Sequence, residues 1–269
     1  MAKVSVIIAS YNHEAYVRAA IESVLEQSFQ DFEIVVTDDG SQDRTPDEVR
    51  AIRDPRISVD VFPRNLGACI AMNACIKRAK GDYIAVLNSD DLFLPGKLEK
   101  QVAYLDANKR VGAVFTYPAF VDGSGKPLTD KDTYYKNTFY VENRNREQWL
   151  RHLFFRGNAF CHPSVLIRKR CYDEIGLYNP ALAQVPDMEM WVRLLQRFEI
   201  HLIQEPLVAL RIIENNMNAS APRQEVVVRV QWETRKILEQ YLSLDSQTAE
   251  RVFPEMLAYP KESRRHRRR

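Results

Sequence analysis

Two short acidic clusters, each placed after an apolar run, carry the chemistry that this sequence offers. Asp38 and Asp39 follow the run EIVVT, and the cluster NSDD at 88–91 follows the run YIAVL. Such runs are typical of buried parallel strands, whose carboxyl ends meet at the edge of an open α/β sheet where ligands bind. Carboxylate oxygens suit Mg²⁺ or Mn²⁺, which bridge protein carboxylates to phosphates. The clusters predict a nucleotide and metal site.

Helix capping is the alternative interpretation of either cluster. Asp and Ser commonly begin helices that follow strands, and capping needs no ligand. A capping residue serves one helix, whereas two acidic clusters at matching strand ends would share one edge of the sheet. The pair therefore favours the binding site.

An alternation of strand and helix patterns positions these clusters. The apolar periodicity predicts strands at 4–9, 32–37, 57–62, 82–87 and 111–116, and helices at 13–27, after 41, at 66–79 and from 95 to 107. This order predicts an α/β fold with a Rossmann-like, mostly parallel sheet flanked by helices.

The second half of the chain is less regular. Residues 118–146 read as a loop or irregular hairpin, which is either a specificity element or a tolerated insertion. Beyond it the pattern predicts helices at 147–155, 187–197 and 224–242, and strands at 164–167, 200–203 and 207–212. We predict a catalytic domain at 1–215, with halves at 1–117 and 118–215, followed by a C-terminal helix and tail at 216–269.

The composition is that of an ordinary globular protein. The chain has 269 residues, of which 45% are hydrophobic and 28% charged, enough for a sizeable core. No apolar stretch approaches the roughly 20 residues that cross a bilayer, and the first residues lack a secretory pattern, so we expect a cytoplasmic protein. The four cysteines form no CxxC pair, which predicts buried, reduced thiols.

A basic run ends the chain. The run contributes five positive charges, whereas the whole chain has a net charge of only +2, so the rest of the chain is net negative. The five residues are Arg264, Arg265, Arg267, Arg268 and Arg269. The run could make peripheral contact with anionic lipid at the inner face of the membrane, or it could be a solvated tail. No basic and aromatic residues interleave elsewhere, so we predict no nucleic-acid partner.

Taken together, five motifs resemble family 2 glycosyltransferases. They are VSVIIASYN at 4–12, VVTDDGSQD at 35–43, NLGACIAMN at 65–73, GDYIAVLNSDD at 81–91 and HPSVLIRK at 162–169. They occur in the family's order, and the resemblance spans about 4–215. It implies a GT-A fold, a nucleotide-sugar donor, most often a UDP-sugar, a saccharide or glycolipid acceptor, and inversion at the anomeric carbon.

The resemblance also implies residue roles on the donor side. The implied nucleotide-binding residues are Ala9, Ser10, Tyr11, Asn12, Asp38, Asp39, Arg64, Asn65, Asn88 and Ser89. Asn88 replaces the first Asp of the family's DxD-type motif, so Asp90 is the implied ligand of Mg²⁺ or Mn²⁺, with Asp91 or water supplementing. Arg211 matches the family's diphosphate-binding Arg, but the His that follows it in the family is absent.

The segment PDMEMWVR at 186–193 resembles the family's EDxxxWxR motif. The resemblance implies that Asp187 is the catalytic base, although Pro186 replaces the usual Glu and simple helix capping by Asp187 is the alternative. Glu189 is the reserve candidate, and we place Glu189, Trp191 and His162 on the acceptor side. Trp191 and His162 could equally be structural.

Two other functions compete with a transferase. The departures at Asn88, Pro186 and after Arg211 could mark a catalytically inactive nucleotide-sugar-binding protein. A nucleotidyltransferase is a second alternative, although it lacks a glycine-rich phosphate loop after the first strand. A dinucleotide-dependent dehydrogenase is disfavoured because no GxGxxG motif follows that strand.

Overall fold

The computed structural model describes residues 2–128, 133–213 and 224–258. Its strands are β1 (Val4–Ser10), β2 (Phe32–Asp38), β3 (Ile57–Val61), β4 (Tyr83–Val86), β5 (Leu92–Phe93), β6 (Val111–Val121), β7 (Leu166–Arg168) and β8 (Glu199–Arg211). Its helices are α1 (Val17–Leu25), α2 (Thr45–Ala51), α3 (Ala68–Arg78), α4 (Lys97–Ala107), α5 (Thr133–Phe139), α6 (Arg146–Arg156), α7 (Lys169–Ile175), α8 (Pro186–Leu195), α9 (Gln224–Glu239) and α10 (Ser246–Val252).

One sheet contains all the described strands, in the order β3-β2-β1-β4-β7-β6-β8-β5. The strands β3, β2, β1 and β4 are parallel, whereas β7 runs antiparallel to both β4 and β6. Ser10 at the end of β1 pairs with Asp38 at the end of β2, and Ile7 pairs with Val86 at the end of β4. This register brings both acidic clusters to the same edge, as predicted.

The two faces of the sheet carry two hydrophobic cores. Side chains alternate between the faces of a strand, and in β1 Ile8 belongs to one cluster while Ile7 belongs to the other. The Ile7 cluster also includes Trp191 of α8 and Ile237 of α9. The C-terminal helix therefore shares a core with the middle of the chain, and the predicted boundary at 215 lies outside the described residues.

The structure differs from the predicted elements mainly between β6 and β8. The two short strands predicted at 200–203 and 207–212 are one strand, β8, which pairs in parallel with β6 and carries a register shift where Tyr117 meets Pro206. Proline has no N–H for the ladder, so the bulge absorbs it. Strand β6 continues into the segment predicted as a loop because β8 pairs with it along its length, and α5 lies in the same segment.

Gly40 shapes the turn that follows the first acidic cluster. Its φ is +72°, and a Cβ there would lie 2.6 Å from Cα of Arg64 and 2.8 Å from N of Asn65. Only glycine therefore allows the loop after β2 to touch the loop before α3.

We expect Gly40→Ala to lower the free energy of unfolding by about 2 to 5 kcal/mol, because the left-handed conformation and the backbone clash both oppose a side chain. Gly123→Ala is the matched control, since nothing lies within 4 Å of a Cβ there. Urea unfolding measures both variants, and equal losses would contradict this account of Gly40.

Lys97 is a buried cation at the start of α4. Its Nζ donates to Oε1 of Gln101 at 2.8 Å and lies 4.0 Å from the ring centroid of Phe93. Burial lowers the pKa of Lys97 from its ordinary 10.5 to about 7. Between those values the unfolded chain holds a proton that the folded protein has released, so this group makes stability rise with pH.

We expect Lys97→Met to be more stable than the wild-type protein by about 1 to 3 kcal/mol at acidic pH, because methionine removes a buried charge. The difference should shrink as pH rises from about 7 to 10.5. Denaturant unfolding across that window measures it, with Lys100→Met as the control because Lys100 is exposed on the same helix. A difference that stays constant with pH would contradict the prediction.

Candidate active site

The end of β2 is fixed by a buried carboxylate. Asp38 is 0% exposed, and it accepts hydrogen bonds from Oγ of Ser10 at 2.9 Å and from the N–H and Oγ of Ser41 at 2.8 and 2.7 Å. These contacts join the turn after β2 to the end of β1. Asp38 thus supports the predicted nucleotide edge from inside the protein.

Asp39 connects β2 to the loop before α3. Its two oxygens accept from the N–H groups of Leu66 and Gly67 at 2.7 and 2.9 Å, and its side chain is buried. Arg64 and Asn65 are exposed on the same loop. The structure thus brings these residues together at the predicted nucleotide edge of the sheet, while their contact with a base or ribose stays a prediction.

The loop after β1 presents an aromatic ring to solvent. Tyr11 is 40% exposed, whereas Ala9 is partly buried. Asn12 has a φ of +51°, its N–H donates to Oγ of Ser41 at 2.9 Å, and its Oδ1 accepts from N of Gln42 at 2.8 Å. Asn tolerates this conformation better than most residues, which explains its position at the turn.

The second acidic cluster follows β4 on the neighbouring strand end. Nδ2 of Asn88 donates to Oδ2 of Asp91 at 2.8 Å, and the N–H of Arg211 donates to Oδ1 of Asp91 at 2.8 Å. Asp91 is 1% exposed, and burial raises its pKa. Oγ of Ser89 lies 2.7 Å from Nδ1 of His13, which the sequence did not identify as part of the site.

Arg211 holds the cluster from the end of β8. Its Nε donates to the main-chain oxygen of Asp90 at 2.7 Å, and its Nη1 donates to the main-chain oxygens of Asp122 and Gly123 at 3.1 and 3.0 Å. The side chain is buried. These contacts make Arg211 a positioning residue for Asp90, and its contact with a diphosphate stays a prediction.

The donor set suits a divalent cation shared with a substrate. Within 2–128, 133–213 and 224–258, no group of three or more His, Cys, Asp or Glu side chains is arranged to hold a metal ion. Asp90 is partly exposed at the strand edge, whereas both oxygens of Asp91 accept hydrogen bonds inside the protein. One carboxylate fits Mg²⁺ or Mn²⁺ if phosphate oxygens and water complete the coordination.

The predicted base lies in the first turn of α8. Nδ2 of Asn158 donates to Oδ2 of Asp187 at 2.7 Å, and the N–H of Met188 donates to Oδ1 at 2.8 Å. Burial raises the pKa of Asp187, and the nearby His162 opposes part of that effect. The helix cap itself is Val185, which offers no side-chain hydrogen bond, so Asp187 is not the N-cap.

His162 and Tyr178 form a pair beside Asp187. Nε2 of His162 lies 2.9 Å from the hydroxyl of Tyr178, and the rings meet edge to face at 5.6 Å. His162 is partly buried, and burial lowers its pKa. Its contact with an acceptor stays a prediction.

Two predicted acceptor residues are instead structural. Trp191 is 0% exposed and packs edge to face against Phe115 with ring centroids 4.8 Å apart, so it cannot stack on a sugar. Glu189 is buried and accepts from Nε and Nη2 of Arg193 at 2.8 and 2.7 Å and from Nε2 of Gln240 at 2.8 Å. Both predictions were wrong because α8 is buried on nearly all sides, so these two side chains are covered although they point to roughly opposite faces of the helix.

Cys161 is a buried thiol near both halves of the site. Burial raises the pKa of Cys161, and the negative charges of Asp91 and Asp187 raise it further. The thiol therefore lies near both carboxylates, although Asp91 and Asp187 are 96 positions apart in the sequence. The four cysteines are buried and unpaired by disulfides, as predicted.

Across the described residues, no helix combines the length and apolar character needed to span a bilayer. The basic run at 264–269 lies outside the described residues.

Comparison with known proteins identifies the family. Residues 5–169 match the model described as Glycosyl transferase family 2. The putative teichuronic acid biosynthesis glycosyltransferase TuaG of Bacillus subtilis is 30% identical over 220 residues, which cover 81% of this chain and 82% of that protein.

Two solved structures share the fold. S. aureus TarS 1-349 in complex with UDP-GlcNAc has a TM-score of 0.73 at 20% identity, covering 95% of this chain and 71% of that one. The mannosyltransferase PcManGT from Pyrobaculum calidifontis, in complex with GDP-Man and Mn²⁺, has a TM-score of 0.63 at 16% identity, covering 96% and 76%. The fold is the GT-A fold that the resemblance implied, and the chain belongs to glycosyl transferase family 2, a family of sugar-transferring enzymes.

Proposed function

We propose that this protein is a metal-assisted, inverting glycosyltransferase that moves a sugar from a nucleotide diphosphate to a hydroxyl of a saccharide or glycolipid. The observation that carries the proposal is the environment of the Asp187 carboxylate. It is a partly buried carboxylate with a raised pKa, and Asn158 fixes one of its oxygens. A general base works best when its pKa approaches the working pH.

The donor would lie along the ends of β1, β2 and β4. Tyr11 is exposed there, and Asp39, Arg64 and Asn65 share one side of the edge. TarS in complex with UDP-GlcNAc and PcManGT in complex with GDP-Man have this fold, which supports a nucleotide-sugar donor. We favour UDP because it is the commonest nucleotide in the family.

Asp90 would hold the divalent cation against the donor diphosphate. A bound cation supplies positive charge that neutralises the departing diphosphate. Arg211 fixes the main chain at Asp90, and Asp91 braces the same loop through Asn88. Asp91 therefore has a supporting role in our proposal, with Asp90 the protein ligand.

On the acceptor side, Asp187 takes the hydroxyl proton as the oxygen attacks the anomeric carbon. Each carboxylate oxygen has two lone pairs, so the single hydrogen bonds from Asn158 and Met188 leave room for a proton. The bond between sugar and diphosphate breaks in the same displacement, and its electron pair leaves with the diphosphate. One displacement inverts the configuration and needs no covalent sugar-enzyme intermediate.

The name of one relative bears on the acceptor and the location. TuaG is named for teichuronic acid biosynthesis, which supports a surface polysaccharide or its lipid-linked precursor as the acceptor. Such an acceptor would be met in the cytoplasm at the inner face of the membrane. The basic run at the end of the chain could then contact anionic lipid.

We expect one of UDP, GDP and dTDP to bind in the presence of Mn²⁺, and we expect EDTA to weaken that binding. Asp90→Ala should weaken it by at least about tenfold, because the metal loses its protein carboxylate. Asp82→Ala is the matched control, since Asp82 is exposed just before the opposite end of β4. Calorimetric titration measures these affinities, and unchanged binding to Asp90→Ala would remove Asp90 as the ligand.

Asp187→Asn should lower the transfer rate by about 100-fold or more, since an amide cannot accept the acceptor proton. Donor affinity should stay nearly unchanged, because Asp187 lies on the acceptor side. The exposed Asp173 gives the control variant Asp173→Asn. Transfer assays and donor titration together test the role, and loss of donor binding in Asp187→Asn would refute it. Full transfer by that variant would refute it as well.

A further inference from the structure

Glu233 is a buried carboxylate on α9 that the site described above does not use. It is 1% exposed, and it lies on the inward side of the helix together with Val226 and Ile237. A carboxylate in such surroundings is costly unless donors surround it. The hydrogen-bond donors around Glu233 therefore indicate its role.

Three consecutive main-chain N–H groups donate to this carboxylate. The N–H of Ala183 donates to Oε1 of Glu233 at 2.8 Å, and the N–H groups of Gln184 and Val185 donate to Oε2 at 2.9 and 3.0 Å. Successive N–H groups that converge in this way form a concave anion site. Here the anion is supplied by the protein's own C-terminal helix.

The held segment leads directly into the proposed base. Val185 is the N-cap residue of α8 and contributes no side-chain hydrogen bond, and Pro186 has no N–H. Asp187 is the next residue. Pro186 stands where the family has its Glu, so no acidic side chain immediately precedes Asp187, and Glu233 brings a carboxylate to that position from a distant part of the chain.

The opposite end of the segment is held by α3. Nδ2 of Asn73 donates to the main-chain oxygen of Tyr178 at 2.8 Å, and the N–H of Tyr178 donates to Oδ1 of Asn73 at 3.0 Å. Sγ of Cys69 donates to the main-chain oxygen of Leu182 at 3.5 Å. The segment 178–185 is thus anchored at both ends, and Glu233 anchors the end beside Asp187.

We infer that Glu233 is a positioning residue for Asp187, and that α9 is a working part of the catalytic site. The inference rests on the proposed role of Asp187 as the base. Glu233 touches no reacting atom in this scheme; it fixes the main chain from which Asp187 projects.

The test compares Glu233→Gln with Glu239→Gln. A Gln side chain has one acceptor oxygen and an NH₂ group, so it cannot receive all three N–H groups in the same geometry. Glu239 is exposed on the same helix and pairs with Lys236 at 3.1 Å, so its variant is a matched control. Glu233→Asp keeps the charge but shortens the reach, and it carries the test should Glu233→Gln fail to fold.

Two readouts separate positioning from general stability. Amide hydrogen exchange at 183–185 should accelerate by about tenfold or more in Glu233→Gln, while exchange in β1 and β2 stays unchanged. The rate of UDP release from UDP-GlcNAc with Mn²⁺, in which water takes the place of the acceptor hydroxyl, should fall by about 10- to 100-fold at saturating donor, because small misplacements of a catalytic group are costly. The donor dissociation constant should stay within about twofold of wild type, since the donor edge is untouched.

Each failure is distinguishable. Unchanged exchange at 183–185, or faster exchange with UDP release at the wild-type rate, would overturn the role of Glu233. Wild-type UDP release by Asp187→Asn would overturn the proposed base instead, and that variant leaves Glu233 and its three hydrogen bonds in place. Loss of donor binding in Glu233→Gln would also count against positioning, because it would show a wider collapse of the site.

Discussion

Buried carboxylates that accept main-chain N–H groups hold the loops of this protein in place. Asp38, Asp39, Asp91 and Glu233 are almost fully buried, and each accepts at least one such group. The donors lie in a loop for Asp38, Asp39 and Glu233, and at the end of β8 for Asp91. Burying one charge costs several kcal/mol, and a hydrogen bond to a charged group returns about 1.5 to 3 kcal/mol. Two or three such bonds offset the cost, so each loop is held by the acid that it surrounds.

This constraint separates supporting acids from reactive ones. Asp91 and Asp187 both have a raised pKa, but Asp91 is enclosed while Asp187 remains partly exposed. The same distinction applies to the neighbours Asp90 and Asp91, of which only Asp90 faces the strand edge in part. Exposure, more than charge or position in a motif, decides which carboxylate can meet a substrate.

The sequence predicts the donor half of the fold well and the acceptor half poorly. The continuous apolar runs that precede Asp38 and the cluster at 88–91 are local signals of buried parallel strands. The sequence does not reveal the continuous strand β8, because its pairing with β6 is a long-range contact that overrides the break at Pro206. Glu189 lies about half a turn and Trp191 about one turn from Asp187 in α8, and only packing reveals that this helix is covered on nearly all sides. Glu233 gives no local signal because its partners lie about 50 positions away.

Helix α3 joins the two sides of the site. Its entry is held by Asp39, through the N–H groups of Leu66 and Gly67, and its inner surface holds Leu182 and Tyr178 through Cys69 and Asn73. All of these contacts lie at the entry and in the first two turns of α3. The loop held by Asp39 and the segment before Asp187 are therefore attached to the same end of one helix, so the distance between the donor side and the acceptor side is set by a single rigid element of backbone.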